Sequence, residues 1–86
     1  MSNTLSYPEL ATLIQARAGV AVDPLDLERP GVSFDDFGVD SLGLLGVVGE
    51  LENRHGVKVT NGAESAKTPA EFLDLVNSAV TAKAGA

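Results

Sequence analysis

The sequence predicts a small all-α bundle: three main helices, one short loose helix and a long ordered first loop. Three observations carry that prediction. Two segments open with the same signature, Ser6-Tyr7-Pro8-Glu9 and Thr68-Pro69-Ala70-Glu71. In each, a hydroxyl residue stands three positions before a glutamate and a proline falls in the first turn, which marks a helix start. Between them, apolar residues recur at helical spacing after Asp40, and strand-like alternation is confined to Val57-Lys58-Val59. Third, the chain has 86 residues and Cys 0. One domain of this size buries only about 60–65% of its unfolded surface, so without disulfides its stability rests on helix packing.

The N-terminal helix starts at Ser6-Tyr7-Pro8-Glu9, carries an inner stripe of Leu10, Leu13 and Ile14, and ends at Gly19. Residues 20–39 follow as a long connection. Pro24, Pro30 and Gly31 break any long helix there, while Val20, Val22, Leu25, Leu27, Val32, Phe34 and Phe37 offer anchors. A loop this long with so many apolar residues reads as ordered and pressed onto the bundle, with one helical turn near Pro24–Leu27. The central helix runs from about Asp40 to His55 and stops at Gly56. At about 100° per residue, Leu44, Val47, Val48, Leu51 and His55 share its inner face. Gly43, Gly46, Glu50 and Asn53 fall on the other, with Leu42 and Gly49 at the edge. Asn61-Gly62 marks a turn, and a short loose helix is expected near Ala63–Ala66. The C-terminal helix starts at Thr68-Pro69 with Phe72, Val76, Ala79 and Val80 inward, and Thr81–Ala86 reads as a fraying tail.

The formal charge is −6, from 12 acidic and 6 basic residues. That balance argues against nucleic acid and anionic membranes, whose phosphates demand Lys and Arg. It favours partners with basic faces. No apolar run approaches the roughly 20 residues of a membrane span. Met1-Ser2-Asn3-Thr4 lacks the basic and apolar regions of a signal peptide. A cytoplasmic monomer is the expectation.

Gly38-Val39-Asp40-Ser41-Leu42 is the most informative segment. Asp40 is a good N-cap and places the Ser41 hydroxyl in the exposed first turn of the central helix. Free amides and the helix dipole at that end favour an attached phosphate. A serine nucleophile acting alone needs a base within reach. The one histidine, His55, lies fourteen residues on along the same helix, about 21 Å away at 1.5 Å per residue. Asp40 is adjacent in sequence, and residues one apart do not face each other on a helix. The G-x-S-x-G elbow of hydrolases is missing because Gly38 sits one residue too early. The readings left open are a hydroxyl decorated by an external enzyme, a small serine-dependent hydrolase, and a plain helical interaction module whose Asp-Ser is only a cap. With one His and no Cys, no transition-metal site is expected.

Phe34-Asp35-Asp36-Phe37-Gly38 followed by Asp40-Ser41-Leu42 resembles the phosphopantetheine attachment signature of the acyl carrier protein family. Leu51-Glu52, the stop at Gly56-Val57 and the Thr68-Pro69 helix start are similar to the family's second and final helices, and the resemblance covers about residues 5–83. It implies an acyl-carrier-like fold filling a single domain, 1–86, and a carrier in place of an enzyme. A separate phosphopantetheinyl transferase would use Ser41 to attack coenzyme A at its pyrophosphate, with Mg²⁺ stabilising the transferred charge. The product is a 4′-phosphopantetheine arm on Ser41, flanked by Asp40 and Leu42. Acyl groups would ride on its thiol as thioesters, which gives Cys 0 a chemical sense.

Fatty-acid carriers have a strongly acidic second helix just after the serine, where this chain has Gly43 and Gly46. Asp40-Ser41-Leu42-Gly43-Leu44-Leu45 with Asn53-Arg54-His55-Gly56-Val57 looks more like stand-alone carriers of bacterial aromatic polyketide synthases. The partners so implied are ketosynthase, malonyl transferase, ketoreductase and cyclase-type enzymes. Fatty-acid and peptidyl carriers are the alternatives.

The remaining features have a functional and a structural reading each. Gly43, Gly46 and Gly49 each cost about 1 kcal/mol against alanine in a helix interior. Either a partner backbone approaches there, with Leu42, Glu50 and Glu52 as further docking contacts, or the helix start is loose. Arg17 lies on the Leu10/Leu13/Ile14 stripe. It either snorkels from the last turn or lines an interior pocket for a polyketone chain with Leu44 and Val47. His55 is read as a packed residue that complements the helix end. Asp35, Asp36, Glu50 and Glu52 form an acidic rim that could steer basic partners.

Overall fold

The computed structural model describes residues 4–85, with side chains placed through Thr81. Met1–Asn3 and Ala86 lie outside the described residues, so most of the N-terminal segment tested for a leader falls there. The described residues form helices and turns with no strand. The order is α1 (Tyr7–Ala18), α2 (Pro24–Leu27), a 3-10 turn (Phe34–Phe37), α3 (Ser41–His55), a second 3-10 turn (Ala63–Ser65) and α4 (Pro69–Gly85).

Helix α1 begins where its sequence says it should. Ser6 is extended, and its hydroxyl accepts the Glu9 N–H at 3.3 Å. Glu9 does not reach back to complete the box. Its carboxylate lies 3.7 Å from Arg54 Nη1 and 3.8 Å from His55 Nε2, linking the start of α1 to the end of α3. Nε2 of His55 is buried without a hydrogen-bond partner. Helix α4 starts on Thr68, whose hydroxyl accepts the Glu71 N–H at 3.1 Å. Here the glutamate does fold back, accepting the Lys67 N–H at 3.1 Å, one residue before the cap. The tail read as fraying stays helical to Gly85. Ala82, Lys83 and Ala84 are strong helix formers, which explains the extension.

The crossover is ordered, as expected, and Val20, Val22 and Phe37 pack against the core as read from the sequence, with Leu25 the exposed exception. Leu27, Phe34 and Val39 are buried, whereas Leu25 is 70% exposed. Two residues apart on one helical turn point to nearly opposite sides, so burying Leu27 turns Leu25 outward. Phe34 meets Phe72 of α4 edge to face, with centroids 5.8 Å apart. Its N–H also donates to the Lys67 carbonyl at 2.9 Å, fixing the loop to the entrance of α4. Gly38 then turns the chain at φ 74°, a conformation that disfavours any side chain, and delivers Val39 to the core and Asp40 to the start of α3.

The core lies where α1, α3 and α4 converge. Leu10, Ile14, Val47, Leu51, Phe72 and Val76 are each fully buried, and burial of such side chains contributes roughly 1.5–3 kcal/mol apiece. Side-chain amides close the ends. Asn77 on α4 holds both backbone groups of Leu5, accepting its N–H at 2.6 Å and donating to its carbonyl at 3.2 Å. Asn61 donates to the Leu75 carbonyl at 2.8 Å.

Candidate functional site

Asp40 sets the site. Its backbone is extended and its Oδ1 accepts the Gly43 N–H at 2.9 Å. The Leu44 N–H bonds the Asp40 carbonyl at 3.0 Å, so the first turn of α3 is closed from both sides. Ser41 is then the first helical residue, exposed, and among the described residues its hydroxyl makes no hydrogen bond.

A cleft of about 260 Å³ opens beside it. Its apolar floor is Phe34, Val39, Leu44 and Ala66, and its rim is Ser33, Asp35, Asp40, Ser41, Glu64, Ser65 and Lys67. Three separate segments build it: the turn at Phe34–Phe37, the start of α3, and the stretch after Ala63. Sequence reading placed Ser41, Asp40 and Leu44 but missed Ser33, Ser65 and Lys67. Ser65 and Lys67 are far from Ser41 in sequence, and the Phe34–Lys67 backbone bond ties their stretch to the turn that holds Ser33.

Of the other residues expected to act, Leu42 and Gly43 share the first turn with Ser41, while Arg17, Gly46, Glu50 and Glu52 lie apart from it. Leu42 is 74% exposed, and Leu45, which the helical face assignment overlooked, is 53% exposed beside it. Gly43 is explained inside the molecule. A Cβ there would stand 2.9 Å from the Ala18 Cβ, so α1 itself approaches at this point. Gly46 faces the Arg17 Cβ at an ordinary 3.5 Å, and Gly49 faces open space.

Of the two readings of Arg17, the structure has the snorkelling one and not the interior pocket. Its side chain is half exposed and bonds Glu50 across the α1–α3 seam. A guanidinium on an aliphatic stem keeps its charge in water when it can. Leu44 and Val47 are core residues, not the walls of an enclosed pocket with Arg17. Glu50 also accepts from Arg54 Nε at 3.2 Å. The hydrogen bond from Arg17 first, and that from Arg54 second, hold the Glu50 carboxyl below the usual glutamate range. Glu52 accepts the Val59 N–H at 2.7 Å, so it caps a loop. Arg17, Gly46, Glu50 and Glu52 line a shallow groove with Asn53 and Lys58 that does not include Ser41.

Comparison with known proteins gives a consistent answer. The family model described as "Phosphopantetheine attachment site" matches residues 8–76. The chain is 55% identical over 80 residues to the curamycin polyketide synthase acyl carrier protein of Streptomyces cyaneus, covering 93% of this chain and 92% of that one. It is 42% identical over 83 residues to the actinorhodin polyketide synthase acyl carrier protein of Streptomyces coelicolor, covering 93% and 95%. The solution structure of the 3,5-dioxohexyl form of the actinorhodin carrier superposes with a TM-score of 0.76 at 33% identity, over 95% of this chain and 98% of that one.

Proposed function

The chain belongs to the acyl carrier proteins that bear a phosphopantetheine attachment site, and we propose that Ser41 is the hydroxyl that receives the 4′-phosphopantetheine arm. One observation carries the assignment: an exposed, unbonded hydroxyl on the first residue of a 15-residue helix, at the mouth of a cleft. The arm, once attached, supplies the thiol that holds acyl groups as thioesters. The polypeptide, with Cys 0, has no thiol of its own.

This chain's residues present the hydroxyl and do not activate it. Asp40 spends its carboxylate on the Gly43 amide, and His55 sits at the far end of α3. The proton acceptor therefore comes from a separate transferase. There the Ser41 oxygen forms a bond to the phosphorus that carries pantetheine. The pyrophosphate P–O bond breaks, adenosine 3′,5′-bisphosphate departs, and the serine proton passes to the transferase's base. Cargo in this reading is a growing polyketide chain, and the partners are polyketide synthase enzymes: ketosynthase, malonyl transferase, ketoreductase and cyclase. What supports the choice over fatty-acid carriers is the outward surface of α3. It offers Leu42, Leu45, Gly46 and Gly49, and its nearest acid, Glu50, is already neutralised by two arginines. The site of action in this reading is the cytoplasm. Among the described residues, no helix is long and apolar enough to cross a membrane.

Incubation of the apo protein with coenzyme A, Mg²⁺ and a broad transferase, followed by intact mass measurement, tests the proposal. A mass gain in wild type that vanishes in Ser41→Ala supports it. No gain under conditions that modify a control carrier points to a plain interaction module. Hydrolysis of activated esters by the unmodified protein points to an enzyme.

A further inference from the structure

We propose that Lys67 is a positioning residue for the arm, its ammonium holding the phosphodiester on Ser41 against the cleft. This rests on Ser41 being the attachment residue. The rim of the cleft carries Asp35, Asp40 and Glu64, and Lys67 is its only cation. A phosphodiester on Ser41 adds one more negative charge. A helix N-terminus would ordinarily welcome it, but here the capping position is already taken by a carboxylate, Asp40 Oδ1 on the Gly43 amide. The new charge thus meets a like charge at the helix end, which offsets part of what the remaining amides offer, and a cation across the cleft supplies further compensation.

Lys67 is built for that place. Its carbonyl is held by the Phe34 N–H at 2.9 Å and its N–H by Glu71 Oε1 at 3.1 Å. The backbone is therefore fixed on both sides, while the ammonium makes no ion pair among the described residues. The arginines behave otherwise. Arg17 and Arg54 bond Glu50, and Arg29 lies 3.7 Å from Asp26. Lys58, the other lysine whose side chain is placed, lies in the groove away from Ser41. One cation without an ion pair, on an anchored backbone and lining the same cleft as the attachment residue and three acids, matches a monoanionic ester. The arm would then leave Ser41 along the apolar floor of Phe34, Val39 and Leu44 instead of swinging free. Screening keeps the effect modest. A single exposed ion pair shifts the docking equilibrium by about 1.4- to 5-fold.

The test uses full-length wild type, Lys67→Gln and Lys67→Arg, each converted to the holo form and checked by mass. Absence of a mass gain in wild type would count against Ser41 attachment and is seen before Lys67 is examined. On the holo proteins, the ³¹P resonance and the apo-to-holo amide shift changes at Ser33, Ser65 and Ala66 are recorded. The expected result is that these shift changes shrink, by up to about five-fold, in Lys67→Gln and persist in Lys67→Arg. In wild type they should also shrink in 1 M salt, where the screening length is about 3 Å. Both substitutions leave the Lys67 backbone bonds in place, so matching apo spectra separate positioning from folding. Holo Lys67→Gln with wild-type ³¹P and amide shifts overturns the proposal, as does equal loss in Lys67→Arg.

Discussion

Replacing Gly43, Gly46 and Gly49 one at a time by alanine separates two explanations for the glycines of α3. Helix propensity alone favours alanine by about 1 kcal/mol at each position. Packing then decides the sign. At Gly49 an added Cβ meets nothing within 4 Å, and at Gly46 it meets the Arg17 Cβ at 3.5 Å, an ordinary contact. Both variants should gain close to the full propensity term. At Gly43 the added Cβ stands 2.9 Å from the Ala18 Cβ and 3.6 Å from its Cα. No flexible side chain can yield there, so α1 has to move, and overpacking of that kind costs about 1–3 kcal/mol. Gly43→Ala should therefore fall about 1–3 kcal/mol below Gly46→Ala. For a domain of this size 1 kcal/mol corresponds to a Tm shift of roughly 4–8 °C. Thermal and urea unfolding of the apo proteins measures the order directly. If Gly43→Ala is stabilised as much as Gly46→Ala, the close α1–α3 approach is not what fixes the glycine. Partner turnover of Gly46→Ala adds a second readout: unchanged rates with every synthase enzyme remove Gly46 from docking.

Other outcomes follow from named contacts. Asp40→Ala loses the cap on Gly43 and should cost about 1 kcal/mol by urea unfolding. Phe72→Ala empties the centre of the core and breaks the edge-to-face pair with Phe34, for a loss of about 3–5 kcal/mol. Arg17→Leu should cost at most about 1 kcal/mol, since its pair with Glu50 is at the surface. It should leave chain loading unchanged, and impaired loading would restore a pocket role. Glu50 gives a pH signature. Its folded carboxyl titrates below the usual range. Its contribution is thus complete above the unfolded value of about 4.3 and is lost as pH falls through the lower folded one. Wild type should lose more stability than Glu50→Gln over that acid range, and parallel curves would contradict the pairing.

Local signals were legible in the sequence and long-range ones were not. Ser6, Thr68, Gly19 and Gly56 mark helix ends through bonds within three or four residues, and the structure puts the ends there. The single turn at Pro24–Leu27 and the short 3-10 helix after Gly62 were readable for the same reason. The turn at Phe34–Phe37 was not, because its closing acid is Asp36, which accepts the Ser33 N–H at 2.9 Å, where the usual signature has Glu or Gln. The position of Ser41 on α3 was equally local. Its surroundings were not. Lys67 reaches the cleft through a backbone bond to Phe34 that no periodicity announces. The pairing of Glu50 with Arg17 joins two helices whose relative rotation the pattern leaves open. Gly43 read as outward because a helical wheel shows where a residue points and not which neighbour arrives there.

The central claim reduces to which oxygen carries the arm. Ser33 and Ser65 line the same cleft as Ser41, so the most direct measurement is fragmentation of the modified protein to localise the adduct. The account predicts that every adduct-bearing fragment contains Ser41 and that fragments holding Ser33 or Ser65 alone keep their unmodified mass. An adduct on either of those serines, with Ser41 bare, would contradict it.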